Sequence, residues 1–291
     1  MPGTGGSGII VQMIMRTKLG AAALVGVLAA ALAACGDEGT TVGSGGTPQR
    51  PTGKDEVVVQ VMVAGGFVPV EVALGAIPLV TVMGDGTVIS QAPVTAIYPG
   101  PAITPLQSVV APAAAVDGLL RTAQERGLLG GDLDFGRPPV ADAPDTEVTI
   151  VSGGTTRRHT ANALGITDDK AAPGLSEQQV KNRRALQRFV EATQALPPGE
   201  RAWEPAEVAV YVVGPYTPDP QLPQAPQNWP LAKAPTANSG LRSCTLVSGG
   251  DTTTLLTALK RANARTPWVV NGVQQSLAFR PVVPGQPGCT T

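Results

Sequence analysis

The chain has 291 residues, 43% of them hydrophobic and 15% charged, which is long enough for a buried core and too apolar for a disordered polymer. With 21 basic against 22 acidic residues the formal net charge is −1, which removes the basic footprint of nucleic-acid binding and any attraction to anionic lipid headgroups. Aromatics are only 3%, beside 35 glycines and 28 prolines, so the core must be built from Val, Leu, Ile and Ala between frequent turns, a usage that favours short strands.

The first element is an export signal. Arg16 and Lys18 precede an uncharged run of sixteen small or apolar residues, Leu19 to Ala34, with the charge and length of a signal-peptide core. As a helix this run reaches about 24 Å, short of the roughly 30 Å hydrocarbon layer, which disfavours a permanent span. Met13 and Met15 are alternative starts. The run closes on Leu32-Ala33-Ala34-Cys35, followed by Gly36. This motif resembles the lipobox of bacterial lipoproteins, in which a leucine and two small residues precede an invariant cysteine.

The resemblance implies that Cys35 is diacylated and that residues 1–34 are removed before it. Two acyl chains are what stable anchoring requires. Losing Arg16 and Lys18 would take the formal charge from −1 to −3, so residence at a membrane must come from the lipid. Residues 35–54 are Gly, Ser, Thr, Pro and charge, the composition of a flexible tether.

Beyond the tether, Val57 to Val63 is continuous and β-branched and reads as a buried strand ended by Gly65-Gly66. Leu79 to Met83 and Thr87 to Ser90 flank Gly84-Asp85-Gly86 as a hairpin. Pro93 to Pro105 is an extended, proline-rich loop. Ala113 to Arg126 places Val116, Leu119, Leu120 and Ala123 at helical spacing before Gly127. Glu147 to Ser152 and Thr155 to Ala161 form a second hairpin around Gly153-Gly154.

Ser176 and Gln179 make a capping box for a helix whose apolar face is Leu186, Phe189, Val190, Thr193 and Leu196. Its opposite face carries Lys181, Arg184 and Arg188, read as solvated. Glu207 to Val213 is a strand, and Gly214 to Pro235 is irregular. Arg242 to Val247 is a strand, Asp251 caps a helix bearing Leu255, Leu256 and Leu259, and Asn271-Gly272 turns Val269-Val270 into Val273 to Phe279 as a hairpin.

The expected fold is therefore α+β: short antiparallel strands and hairpins with about three helices packed on the sheet or sheets. Residues 55–196 form an α+β domain, and 197–291 a smaller one or a continuation of the same sheet. The Gly84-Asp85-Gly86 hairpin, the helix ending at Gly127 and the Asp142/Asp145 loop resemble uncharacterised actinobacterial lipoproteins, as does the C-terminal pattern of Cys244, Thr266-Pro267-Trp268 and Arg280-Pro281 to Cys289. This resemblance implies a location and an α+β fold, and no activity.

With Cys35 assigned to lipid, Cys244 and Cys289 remain, in a compartment that permits disulfides. They are expected to pair, because no Cys-x-x-Cys and no nearby histidine supports a reactive thiol or a metal site.

Catalytic signals are sparse. His159 is the only histidine, which rules out a multi-histidine zinc site, and no nucleophile elbow, Walker loop or Ser-x-x-Lys pattern accompanies it. It reads first as an exposed or cross-strand structural residue. The acidic run Asp132, Asp134, Asp142, Asp145 and Glu147 fails calcium-loop spacing, since the twelfth position from Asp132 is Ala143. These carboxylates read as solvated loop charges, with Asp145 capping a turn, and no metal or cofactor is expected.

The functional expectation is a lipid-anchored extracytoplasmic protein, membrane-bound through diacylglyceryl-Cys35, that acts by non-catalytic binding or by contact with an envelope protein. The alternatives are a hydrolase using His159 with Asp142 or Asp145, and a ligand-binding lipoprotein. A doubly wound transporter-type receptor would need more β-α repeats than the sequence holds.

Overall fold

The computed structural model describes residues 46–166, 173–236 and 244–289. The expected signal sequence, Cys35 and the first part of the expected tether lie outside the described residues. Residues 46–54, which composition assigns to the tether, lie against the folded part: Gln124 donates to the Gly46 carbonyl (3.1 Å), Gly153 N–H to the Gln49 carbonyl (2.8 Å), and Arg50 pairs with Asp117 at 2.9 Å.

The architecture is α+β. Its larger sheet holds β1 (Val57–Gly65), β2 (Val80–Met83), β3 (Thr87–Gln91), β4 (Leu106–Val110), β5 (Pro144–Ser152), β6 (Thr155–Asn162) and β7 (Arg201–Trp203), in the order β6-β5-β1-β2-β3-β4-β7. Every neighbouring pair is antiparallel. The smaller sheet holds β8 (Glu207–Pro215), β9 (Gln227–Asn228), β10 (Thr245–Ser248), β11 (Trp268–Val270) and β12 (Val273–Pro281), in the order β10-β8-β12-β11-β9, with β9 and β11 parallel. The helices are α1 (Val70–Leu74), α2 (Ala113–Glu125), α3 (Glu177–Gln194) and α4 (Gly250–Leu259).

The central strand β1 is buried because helices cover one of its faces. Val59, Val61, Val82, Val148 and Ile150 pack against Val116 and Leu120 of α2 and Leu186 and Phe189 of α3. Ser176 accepts from Gln179 N–H, and Gln179 returns the bond to Ser176 N–H, so the capping box forms. On the other face of the large sheet Ile77, Met83, Ile89, Leu106 and Val283 make a second cluster. In the small sheet Trp268 is fully buried, edge-on to Phe279 (5.5 Å) and Trp229 (6.1 Å), and α4 seats Leu255, Leu256 and Leu259 on the same core.

The turn signals act as expected. Asn271 and Gly272 take φ values of 50° and 79°, the paired left-handed geometry of a type I′ turn, between β11 and β12. Gly84 accommodates a close approach, since a Cβ there would lie 2.5 Å from the Gly53 carbonyl oxygen. Five elements depart from the sequence reading, one of them the short strand β7, which was not expected. β4 and α1 were not expected, the two-residue β9 lies within the segment read as irregular, and α4 is capped by Gly249 with no side-chain bond, Asp251 falling in its first turn. Segment 197–291 contributes β7 to the large sheet, where Leu106 pairs with Trp203, while α1 packs on β12 and β8. No helix among the described residues is long and apolar enough to cross a membrane.

Candidate functional site

His159 sits on β6 opposite Val148 and is 3% exposed. Its Nε2 lies 2.8 Å from the Leu128 carbonyl oxygen, and Phe135 meets the ring edge-on at 5.7 Å. The imidazole is thus walled in and hydrogen-bonded to backbone, so of the two structural readings, exposed or cross-strand, the exposed one is corrected and the cross-strand one matches its place opposite Val148. The signal misread was the flanking Arg157-Arg158 pair, whose charge suggested a solvated strand; α2's C-terminal loop instead covers this face.

The proposed carboxylate partners lie elsewhere. Asp145 accepts from Asn162 Nδ2 at 2.8 Å, in register with that residue across β5 and β6. Asp142 is exposed, with φ 55°, and its backbone carbonyl accepts from Phe67 N–H at 3.2 Å. Among the described residues no hydrogen bond joins His159 to either carboxylate. Such an arrangement orders a loop and offers no base, acid or nucleophile in mutual reach. Asp145 fixes a strand pair, not a turn.

Asp134 has a specific task. One of its oxygens accepts from Gly136 N–H and the other from Gln179 Nε2, both at 2.8 Å, and its carbonyl accepts from Asn182 at 2.7 Å. The Gln179 and Gly136 donors hold the carboxyl below its ordinary value. Next to Asn182, Arg183 is fully buried and donates to the carbonyls of Asn162 (2.9 Å), Ala163 (3.2 Å) and Phe135 (3.4 Å). This ties α3 to the end of β6, where Ala163 takes φ 53°. Among the described residues no three His, Cys, Asp or Glu side chains gather to hold a metal ion.

Cys244 and Cys289 form a disulfide, with Cα atoms 5.3 Å apart. It packs with Tyr211 and Ala278 and closes the C-terminal tail beside β8 and β12. Arg280 holds the same tail through the carbonyls of Pro287 and Gly288 and donates to Tyr211 Oη at 3.1 Å.

A groove between the sheets is one feature able to take a ligand. Its larger chamber, about 360 Å³, is floored by Leu277, Ala278 and Phe279 of β12 and walled by α1 and the loop at Pro101-Ala102. A smaller chamber of about 180 Å³ adjoins it, lined by Tyr98, Tyr216, Arg265 and Ser276. Glu71, Val72, Ala264 and Leu277 line both. On the far side of the Pro101–Thr104 passage a third cavity, about 260 Å³, has Glu204 and Lys260 paired at 2.8 Å on its wall.

The groove exists because α1 buries none of its residues. Val72 is 57% exposed, and Phe67 and Val68 just before the helix are also exposed, as are Ile97 and Tyr98 in the loop before β4, of which Tyr98 lines the smaller chamber. The sequence reading missed these residues. Segment 66–79 carries no long periodicity, and Tyr98 lies in a proline-rich loop that gives no packing signal. No protein-family model matches the chain, and no curated protein is found to be similar to it.

Proposed function

We propose that the protein is an exported lipoprotein, anchored through Cys35 to the outer face of the cytoplasmic membrane, whose folded part binds a ligand in the groove between its two sheets. The observation that carries the reading is that groove. Two adjoining chambers of about 360 and 180 Å³, apolar on the floor and lined at the surface by exposed Val72 and Tyr98, have the size and lining of a small-ligand site. Grouped apolar side chains left in water at one place are the usual mark of a surface kept for contact.

The anchor rests on the lipobox Leu32-Ala33-Ala34-Cys35 behind the Arg16/Lys18 charges. Placement supports the combination. The chain enters the folded part at Gly46 to Arg50, beside the Gly84 and Gly153 turns, whereas Val63, Leu79 and Gln91 put the groove at the other end of the large sheet. The six-residue advance from Val57 to Val63 separates the two ends by about 20 Å. Gly46 to Arg50 and the groove thus lie at opposite ends of the large sheet.

Binding is favoured over hydrolysis by what surrounds His159: a backbone carbonyl and an aromatic edge, with Asp145 bonded to Asn162 and Asp142 exposed. Fractionation of cells producing wild type or Cys35→Ala tests the anchor. Wild type is expected in the membrane fraction, extractable by detergent only, and Cys35→Ala in the soluble or secreted fraction. An identical distribution of the two would overturn the anchoring.

A further inference from the structure

We propose that the groove selects an amphiphile whose head is an organic cation, with the ammonium held in the smaller chamber and the alkyl chain in the larger one; this rests on the groove being the binding site. The smaller chamber concentrates a scarce resource. The chain has three tyrosines and ten aromatic residues in all, and two of the tyrosines, Tyr98 and Tyr216, line this space of about 180 Å³. Neither ring is paired with another aromatic among the described residues, where the three ring contacts are Phe135 with His159 and Trp268 with Trp229 and Phe279. Tyr98 is exposed and Tyr216 half-buried, so ring surface at this chamber is open to a cation, whose attraction to a ring quadrupole survives in partly exposed sites.

Glu71 supplies the charge. It lies at the junction, lining both chambers, is half-buried, and among the described residues its carboxylate makes no ion pair and no hydrogen bond. A carboxylate set among Val72, Leu277 and Pro69 with no protein partner is a counter-charge that an incoming ammonium can pair with. The larger chamber beyond it has Leu277, Ala278 and Phe279 as its floor, with Val63 and Ile77 on its walls, and excludes water from an alkyl chain.

One feature sets a second specificity. Arg265 also lines the smaller chamber and is exposed. Its guanidinium disfavours a bare cation placed against it, and favours a head in which an anionic group adjoins the ammonium. The head chemistry is shared by zwitterionic lipid headgroups and by free alkylammonium compounds, and Arg265 is the residue that separates the two sources.

Isothermal titration of the folded protein with probes of one tail length tests this: octyltrimethylammonium, octylphosphocholine, octyl sulfate and octanol, each below its micelle concentration. The expected result is binding of the two cation-bearing probes, with Glu71→Gln weakening both by about tenfold. Arg265→Ala is expected to weaken octylphosphocholine and to spare or strengthen octyltrimethylammonium; weakening of both probes alike would remove the source assignment. Ala264, exposed at the junction of the chambers, provides a control for the site, since Ala264→Trp fills the opening without touching the core and should abolish binding of every probe. Equal binding of octanol or octyl sulfate in wild type, blocked by Ala264→Trp, would overturn the cation assignment and leave the groove as the binding site. Absence of binding by all four probes would overturn the cation assignment, and binding unaffected by Ala264→Trp would overturn the groove reading itself.

Discussion

Replacing both cysteines, Cys244→Ser with Cys289→Ser, removes a cross-link spanning 45 residues. In the chain-entropy treatment a closed loop of that length raises the free energy of the unfolded state by about 4 kcal/mol at 25 °C. The folded state loses little, because Arg280 continues to hold the tail through Pro287, Gly288 and Tyr211. The effect therefore acts mainly on the unfolded chain. For a unit of this size the unfolding entropy near the midpoint is about 0.5 kcal/mol/K, so a loss of 4 kcal/mol lowers Tm by about 8 °C. Urea unfolding followed by tryptophan fluorescence measures the free energy, and calorimetry the midpoint. The m-value should rise, because an uncross-linked chain exposes more surface on unfolding. Wild type treated with reductant should reproduce the double variant. A fall of less than 1 kcal/mol, with m unchanged, would refute the argument that this bond restrains a long loop.

Three further outcomes follow from the hydrogen-bonded interior. His159→Ala removes the bond to Leu128 and the contact with Phe135, and should cost about 2–3 kcal/mol in urea unfolding while leaving probe binding in the groove intact; loss of an activity at unchanged stability would instead support the hydrolase alternative. Arg183→Met removes the guanidinium donor from the Asn162 carbonyl and leaves the Ala163 carbonyl with the Ile166 N–H alone, and should cost about 3–5 kcal/mol or prevent folding, read by calorimetry. Asp134 contributes through its ionised form, held by Gln179 and Gly136 below the ordinary value of 3.8. Its stabilisation is complete above that value and is lost as pH falls beneath it, so Asp134→Asn should be less stable than wild type at pH 7 and the gap should close toward pH 3.

Much of the fold was readable where local chemistry and burial agree. β1 is Val-rich and buried, the Asn271-Gly272 and Gly153-Gly154 turns demand left-handed backbone, and Ser176 with Gln179 carries its own cap. The apolar faces of α2 and α3 follow helical spacing for the same reason. β4 was less legible, since Leu106–Val110 follows a proline-rich loop and is set by pairing with β3 and β7. α1 is only five residues and buries none of them, so no periodicity could reveal it.

The site was harder to read than the fold. Arg183 stood beside Lys181 and Arg184 in what looked like a charged face, and only the packing of α3 on β6 shows that its guanidinium is enclosed by backbone carbonyls. The Cys244–Cys289 bridge was accessible because two cysteines remained after the lipobox. Glu71, Tyr98 and Tyr216 lie far apart in sequence and meet only through the approach of α1, the loop before β4 and the end of β8. Single-sequence pattern holds no record of such a meeting.

The central claim is a lipid-anchored binding protein, and the intact mass of the protein recovered from membranes tests its first half most directly. The account predicts a chain beginning at Cys35 with a mass increment of a diacylglyceryl group, absent from Cys35→Ala. A chain starting elsewhere, or one starting at Cys35 without the lipid increment, would contradict it.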